Sequence, residues 1–467
     1  MMMSSNTSLF HVAMYPWFAL GHLTSFLHIS NKLAERGHKI SFLMPKNTIP
    51  RLSHFNLHPH LIFFVPITVP HVDGLPLGSE TTSDLPNYSK HSLLMTAMDL
   101  TEPVIETCLK HLKPHMVFFD FTHWLPALAC KLGIKALHYC TISPATVGYL
   151  ISPERKLLLE KNSLTEADLI NPPPSFPPSS TIRLHPHEAR ELATAAVKNY
   201  GNGGISFVER QLISFASCHA VVFKTCREME GPYCDYLERQ MRKQVFLAGP
   251  VLPDTPLRSK LEEKWVTWLG SFKPKTVIFC AFGSECFLKS DQFKELLLGF
   301  ELTGMPFLAA LKPPIGAEAI ESALPEGFNE RTKGRGVVHG DWVQQLLILS
   351  HPSVGCFVTH CGSGSLTEAM VNECQLVLLP HAGDQFINAR IMSGDLKVGV
   401  EVEKSEDGLF TREAVCKVLR AVMDSDSEVG QMVRTNHAKW RKFLFSKGLE
   451  NSYVDHFNQN LHSLLRS

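Results

Sequence analysis

The chain has 467 residues, with 45 Lys plus Arg against 45 Asp plus Glu, so its formal net charge is zero. That length exceeds one ordinary core and predicts two domains of similar size. The neutral balance argues against nucleic acid or an anionic membrane as the main partner. At 44% hydrophobic and 19% charged residues the chain reads as soluble and globular. Its twelve cysteines form no CxxC pair. They read as reduced, buried thiols of a cytosolic protein, with neither a disulfide frame nor a zinc site. The N-terminus lacks a basic region, and the apolar run after it is broken by His11 and Pro16. It is a poor signal peptide. No stretch approaches the roughly 20 apolar residues of a membrane span. A cytoplasmic location is expected, and the sequons at Asn6 and Asn87 read as chance matches.

In chain order, Leu9 to Met14 reads as a strand ended by Tyr15-Pro16, and Trp17 to His22 as a loop. Leu23 to Arg36 carries apolar residues at helical spacing, with Gly37 as a stop. Lys39 to Met44 is a second strand, so the chain opens with a βαβ unit. The loop holds one glycine, Gly21, and no GxGxxG, which weakens a nicotinamide or flavin reading. A strand is expected near Leu61 to Val65 and a helix over His91 to His111. Met116 to Phe119 is an apolar strand ending in Asp120. Trp124 to Leu132 reads as a helix, and Ala136 to Cys140 as a strand followed by Thr141 and Ser143. The proline cluster at 172–178 must be a surface loop. Residues 185–217 read as helical, and Ala220 to Lys224 and Phe246 to Ala248 as strands. Val251 to Ser259 is polar with two prolines, which places a domain boundary near residue 250.

The second half starts again with a helix (Lys260 to Leu269) and an apolar strand (Thr276 to Phe282) closed by Gly283-Ser284. Helix Asp291 to Thr303 and strand Pro306 to Leu311 follow. Trp342 to Gln385 is the most informative stretch. It holds an indole, a short apolar strand (Val354 to Val358), and the small loop His360-Cys361-Gly362-Ser363-Gly364-Ser365. A helix start and a second apolar strand, Gln375 to Pro380, follow, and the stretch closes on Asp384-Gln385. Strand, glycine loop and helix start offer free backbone N–H groups to a phosphate. A helix-rich tail, Thr411 to Leu465, ends the chain. Alternating strands and helices in both halves imply an α/β protein with two doubly wound sheets.

The stretch from Trp342 to Gln385 resembles the signature box of plant family 1 UDP-glycosyltransferases. It has Trp first, Gln fourth, His-Cys-Gly in the middle, Glu after the loop and Asp-Gln last. The likeness is closest to the branch that extends the sugar of flavonoid and phenylpropanoid glycosides. Two departures stand out. The family's usual Trp-Asn after His-Cys-Gly is Ser363-Gly364 here, and its usual Trp two residues before Asp384 is Ala382. The resemblance implies the GT-B fold, two facing Rossmann-like domains. Residues 1–250 would bind the acceptor and 251–440 the UDP-sugar, with the last helix, from about 440 to 467, crossing back. It also implies a metal-independent, inverting transfer that needs no cofactor. A monomer is expected. The donor favoured is UDP-rhamnose, with UDP-glucose and UDP-xylose as alternatives on a small phenolic or terpenoid acceptor. A UDP-sugar epimerase of the same fold is the rival from another class, and a non-catalytic nucleotide-binding protein is a second.

By the same resemblance His22, beside Gly21, is the base and Asp120 its orienting acid. Each has a plainer alternative. His22 could be a helix-start histidine facing solvent, and Asp120 a cap for the helix near Trp124. Trp342 would stack on uracil, Gln345 and Glu368 would hold the ribose, and Val343 counts among the residues that bind the UDP-sugar. Ser365-Leu366-Thr367-Glu368 also fits an S-x-x-E capping box, which would occupy Glu368 with backbone N–H groups. His360, Gly364, Ser365 and Ser284 would meet the diphosphate. Asp384 and Gln385 offer the planar acceptors and donors that suit sugar diols, and Thr141 is a weaker candidate for sugar contact. Trp17 and Phe18 could face an aromatic acceptor or simply pack.

Overall fold

The computed structural model describes residues 9–155, 158, 163–250, 252–253 and 260–466. The sequon at Asn6 and most of the polar segment 251–259 lie outside them. The chain divides into two compact units. The first comprises Met1–Leu164, Ala195–Val251 and Glu450–Ser467, the second Thr165–Thr194 and Leu252–Leu449.

The first unit holds a seven-stranded parallel sheet. Its strands are β1 (His11–Tyr15), β2 (Lys39–Pro45), β3 (Ile62–Ile67), β4 (Met116–Phe119), β5 (Lys135–Cys140), β6 (Ala220–Phe223) and β7 (Gln244–Leu247), in the order β3-β2-β1-β4-β5-β6-β7. β4, β5 and β6 are wholly or almost wholly buried, as near-continuous apolar runs in a parallel sheet should be. Residues of helix Leu20–Ala34 and of the last helix, Leu449–Arg466, pack on the strands through Phe26, Leu33, Phe457 and Leu461.

The second unit holds a six-stranded parallel sheet of β8 (Val277–Ala281), β9 (Phe307–Ala310), β10 (Gly336–His339), β11 (Val354–Thr359), β12 (Gln375–Leu378) and β13 (Gly399–Glu401). Their order is β10-β9-β8-β11-β12-β13. In each sheet the direction of strand addition reverses once, between β1 and β4 and between β8 and β11. Open α/β sheets bind ligands outside the carboxyl ends of the strands at such a reversal.

Several elements depart from the sequence reading. The first helix begins at Leu20, so His22 lies in its first turn and not in a loop. Its N-cap is Ala19, whose carbonyl accepts Leu23 N–H without any side-chain cap, so no capping residue marks the start. The span 91–111 is two helices, His91–Asp99 and Glu102–Leu112. The span 185–217 is likewise two, Pro186–Ala196 and Phe207–Ser217. Segment 165–194, placed in the first domain by chain order, clusters with the second unit. Arg390 holds it there, pairing with the buried Glu188 at 2.7 Å, and Thr181 Oγ1 donates to Asp395 at 2.7 Å.

All twelve cysteines are free and ten are buried. Burial also keeps several histidines neutral. It lowers His28 and His138 to about 3 and His360 and His437 to about 4, from 6.5. Between those values and 6.5 the unfolded chain binds more protons than the folded one, so stability must fall as pH drops through that window. Each such group contributes up to about 1.4 kcal/mol per pH unit. The melting temperature is expected to be flat from about pH 7 to 8 and to fall steadily from pH 6.5 to 4.5. A flat profile across that interval in thermal scans would contradict the burial of these rings.

Candidate active site

Three chemistry-bearing residues follow the adjacent strands β1, β4 and β5. Tyr15 is in register with Phe119, and Phe119 with His138, so the strands end side by side. His22 follows β1, Asp120 ends β4 and Thr141 ends β5. His22 Nδ1 lies 2.7 Å from Asp120 Oδ2. The other carboxylate oxygen accepts the backbone N–H groups of Trp17 at 2.8 Å and Phe121 at 2.7 Å. Asp120 is 1% exposed, whereas His22 is 18% exposed. A buried carboxylate with three donors is fixed in place, and a proton on Nδ1 leaves the Nε2 lone pair of a neutral ring. Thr141 Oγ1 lies 3.2 Å from the same Nδ1, so its hydroxyl touches the His22 ring. Asp120 does not cap the helix Leu125–Lys131, whose N-cap is Trp124.

Gly21 lies beside His22 on the helix surface, and a Cβ there would meet nothing within 4 Å. Trp17 and Phe18 are buried at 3% and 0% exposure and pack with their neighbours. The rings that line the ground near His22 are others. Phe121 stands edge-on to the imidazole with centroids 4.9 Å apart, and Phe207 meets Phe121 at 5.1 Å. A small pocket beside Asp120 and Thr141 is lined by Phe121, Ile142, Val147 and Phe207. Phe121 and Phe207 look like ordinary core aromatics in the sequence. Only their place after β4 and at a helix start could have singled them out.

In the second unit β8, β11 and β12 are neighbours, with Ala281 opposite Thr359 and Thr359 opposite Leu378. Their carboxyl ends bring together Gly283-Ser284, the loop from His360, and the segment His381 to Gln385. Gly283 has φ +69, and a Cβ on it would sit 3.2 Å from the His360 ring. Gly362 has even less room, because its Cβ would approach His360 Nε2 to 2.5 Å. Two glycines thus let the backbone close around one imidazole. Burial holds His360 neutral, at about 4. Helix Ser363–Met370 begins directly after Gly362, so its first N–H groups point out of this loop. Gly364 has open space where a Cβ would be.

Gln345 Nε2 donates to Glu368 Oε2 at 2.8 Å and to Ser365 Oγ at 3.1 Å, gathering three of the named residues. The capping-box alternative for Glu368 does not hold. The helix N-cap is Gly362, so Ser365 is the third helical residue and Glu368 the sixth. Trp342 is 75% exposed, and Val343 next to it is buried. Asp384 is the N-cap of helix Gln385–Arg390. Gln385 Oε1 accepts the N–H groups of His381 and Ala382 at 2.9 and 3.1 Å, so its side chain braces the turn in which Ala382 stands. Among the described residues no group of three or more His, Cys, Asp or Glu could hold a metal ion, and no helix is long and apolar enough to cross a membrane.

Comparison with known proteins agrees with this layout. Residues 325–435 match the family described as UDP-glucoronosyl and UDP-glucosyl transferase. The chain is 63% identical over 457 residues to a cyanidin 3-O-galactoside 2''-O-xylosyltransferase of Actinidia chinensis var. chinensis, covering 98% of this chain and 99% of the relative. It is 58% identical over 464 residues to an anthocyanidin 3-O-glucoside 2''-O-glucosyltransferase of Ipomoea nil, covering 99% and 100%. Among solved structures, a UDP-glucose:anthocyanidin 3-O-glucosyltransferase in complex with UDP superposes with a TM-score of 0.76 at 25% identity, over 98% of both chains. Two parallel Rossmann-like sheets, a signature stretch that spans two strand ends, and identity of this depth over the whole length place the chain among the plant family 1 UDP-glycosyltransferases, enzymes of GT-B fold that transfer sugar from a UDP-sugar.

Proposed function

We propose that this enzyme transfers xylose, or else glucose, from its UDP-sugar to the 2''-hydroxyl of the sugar on an anthocyanidin 3-O-glycoside. The observation that carries this reading is the identity of 63% and 58% to two relatives that share one acceptor class and one hydroxyl. They differ in donor, one a xylosyl- and the other a glucosyltransferase. Neither is a rhamnosyltransferase, so UDP-rhamnose, favoured from the sequence, gives way to these two sugars.

In this reading His22 Nε2 takes the proton from the acceptor hydroxyl, and Asp120 holds Nδ1–H and stabilises the imidazolium. The freed oxygen attacks the anomeric carbon from the side opposite the diphosphate. The bond to UDP breaks as the new glycosidic bond forms, and the configuration inverts. His360, Ser284, Ser365 and the N–H groups around Gly364 meet the charge that develops on UDP, with no metal called on. Trp342 stacks on uracil beside Val343, Gln345 and Glu368 hold the ribose, and Asp384 and Gln385 hold the transferred sugar. Gly21 precedes the base in the same helix turn, and Thr141 supports its ring. The compartment is the cytoplasm and the active form a monomer.

The test is a donor panel of UDP-xylose, UDP-glucose and UDP-rhamnose against cyanidin 3-O-galactoside and cyanidin 3-O-glucoside, with product linkage read by NMR. Transfer to an aglycone hydroxyl alone would defeat the reading. Interconversion of UDP-sugars without acceptor would support the epimerase rival. The ribose assignment has its own check. Glu368→Ala should weaken UDP binding by roughly tenfold or more, the loss expected for one charge-assisted hydrogen bond. Its melting temperature should stay near that of the parent protein, because Glu368 caps no helix. Calorimetry that found unchanged UDP affinity would remove Glu368 from the ribose site.

A further inference from the structure

The diphosphate loop and the sugar-binding pair follow different strands, β11 and β12, yet one buried side chain joins them. Asn388, 4% exposed, lies on helix Gln385–Arg390 one turn after Asp384. Its Nδ2 donates to the Cys361 carbonyl at 3.0 Å and to Asp384 Oδ2 at 2.9 Å. An amide nitrogen carries two hydrogens, so both bonds form at once. Cys361 is a non-glycine residue at φ +68, a conformation that persists only where surrounding contacts impose it. Its N–H donates to Thr359 Oγ1 at 3.2 Å, and Asn388 takes its carbonyl. The next residue, Gly362, sits against His360, so the turn at Cys361 sets where the imidazole and the first N–H groups of helix Ser363–Met370 point.

We propose that Asn388 is a positioning residue that couples the loop 360–364 to Asp384, holding the diphosphate donors and the sugar-binding carboxylate in one register. This rests on the assignment of Asp384 to the transferred sugar. UDP uses only the loop side of the coupling, whereas a UDP-sugar uses both sides. Losing Asn388 must therefore damage handling of UDP-sugar more than binding of UDP.

The test is a double-mutant cycle on the full-length enzyme, using Asn388→Ala, Asp384→Ala and the pair. The readouts are kcat/KM for UDP-xylose or UDP-glucose, whichever the parent turns over, and the Kd of UDP. Asn388→Ala is expected to lower kcat/KM about 10- to 100-fold, the usual loss when the support of a ligating group is removed. UDP affinity should change less than about threefold. In the Asp384→Ala background the same substitution should cost under about threefold, because the group it positions is already gone. Additive losses, or equal losses for UDP and UDP-sugar, would overturn the coupling and leave Asn388 as ordinary packing. A silent Asp384→Ala with a damaging Asn388→Ala would instead sink the sugar assignment, and the coupling with it. Should the alanine variant not fold, Asn388→Asp fills the same space and sets an acceptor against two acceptors. With Asp384 present its loss should be larger than with Asp384→Ala, where only the Cys361 carbonyl still faces it, and equal losses in the two backgrounds would overturn the coupling.

Discussion

Replacing His22 with alanine is expected to lower kcat by about 10²- to 10⁴-fold, the range that general base catalysis contributes. The Kd of UDP should stay within about twofold. His22 has one ring nitrogen committed to a carboxylate that is itself 1% exposed, while the ring remains partly open to solvent. That arrangement fits a base, because one nitrogen is held by a carboxylate and the ring is not closed off from solvent. The residues proposed to bind UDP all lie in the other compact unit, from Ser284 to Gln385. Nothing that grips the nucleotide is therefore removed. Stability should fall by no more than about 1–3 kcal/mol, because Asp120 Oδ2 loses its imidazole partner while Oδ1 keeps two backbone N–H groups. Steady-state kinetics with saturating donor and acceptor separate these quantities. A variant that kept a near-parental kcat would remove His22 from the chemistry.

The fold was legible where apolar runs end in something polar. Val354 to Thr359 is a strand for the reason its composition predicts, and the loop after it carries the residues that set the nucleotide reading. What stayed hidden depends on contacts distant in sequence. Glu368 satisfies the capping pattern, yet the helix starts three residues earlier because Gly362 takes extended angles (φ −65, ψ 139) beside His360. Segment 165–194 belongs with residues some 200 positions later because Arg390 reaches Glu188, a pairing that no local pattern announces. Asn388 looked like any polar helix residue. Its spacing of one turn from Asp384 was visible, but not its burial against Cys361. Thr141 was read as a sugar contact, and its nearness to His22 needed the register of β4 on β5.

Asp120→Asn should cost nearly as much turnover as the loss of His22, with the protein still folded. The two side chains have the same shape. The asparagine carbonyl can keep the two backbone N–H groups of Trp17 and Phe121 that now bond to Oδ1. Turning the amide that way sets its NH₂ against His22 Nδ1, 2.7 Å from the present Oδ2. A donor there demands an acceptor, so the ring moves its hydrogen to Nε2 and loses the lone pair that would take the acceptor's proton. The opposite amide orientation preserves the tautomer but turns a donor on two backbone donors, leaving both buried N–H groups unpaired at about 1–3 kcal/mol each. The first orientation should win, giving an inactive enzyme with a near-parental melting temperature. Asp120→Ala should differ, because it also strands those N–H groups and so loses stability together with rate. If Asp120→Asn turned over at a rate within tenfold of the parent, the carboxylate would not be setting the tautomer. Another acceptor would then have to hold the Nδ1–H tautomer, and Thr141 Oγ1 stands 3.2 Å from that nitrogen.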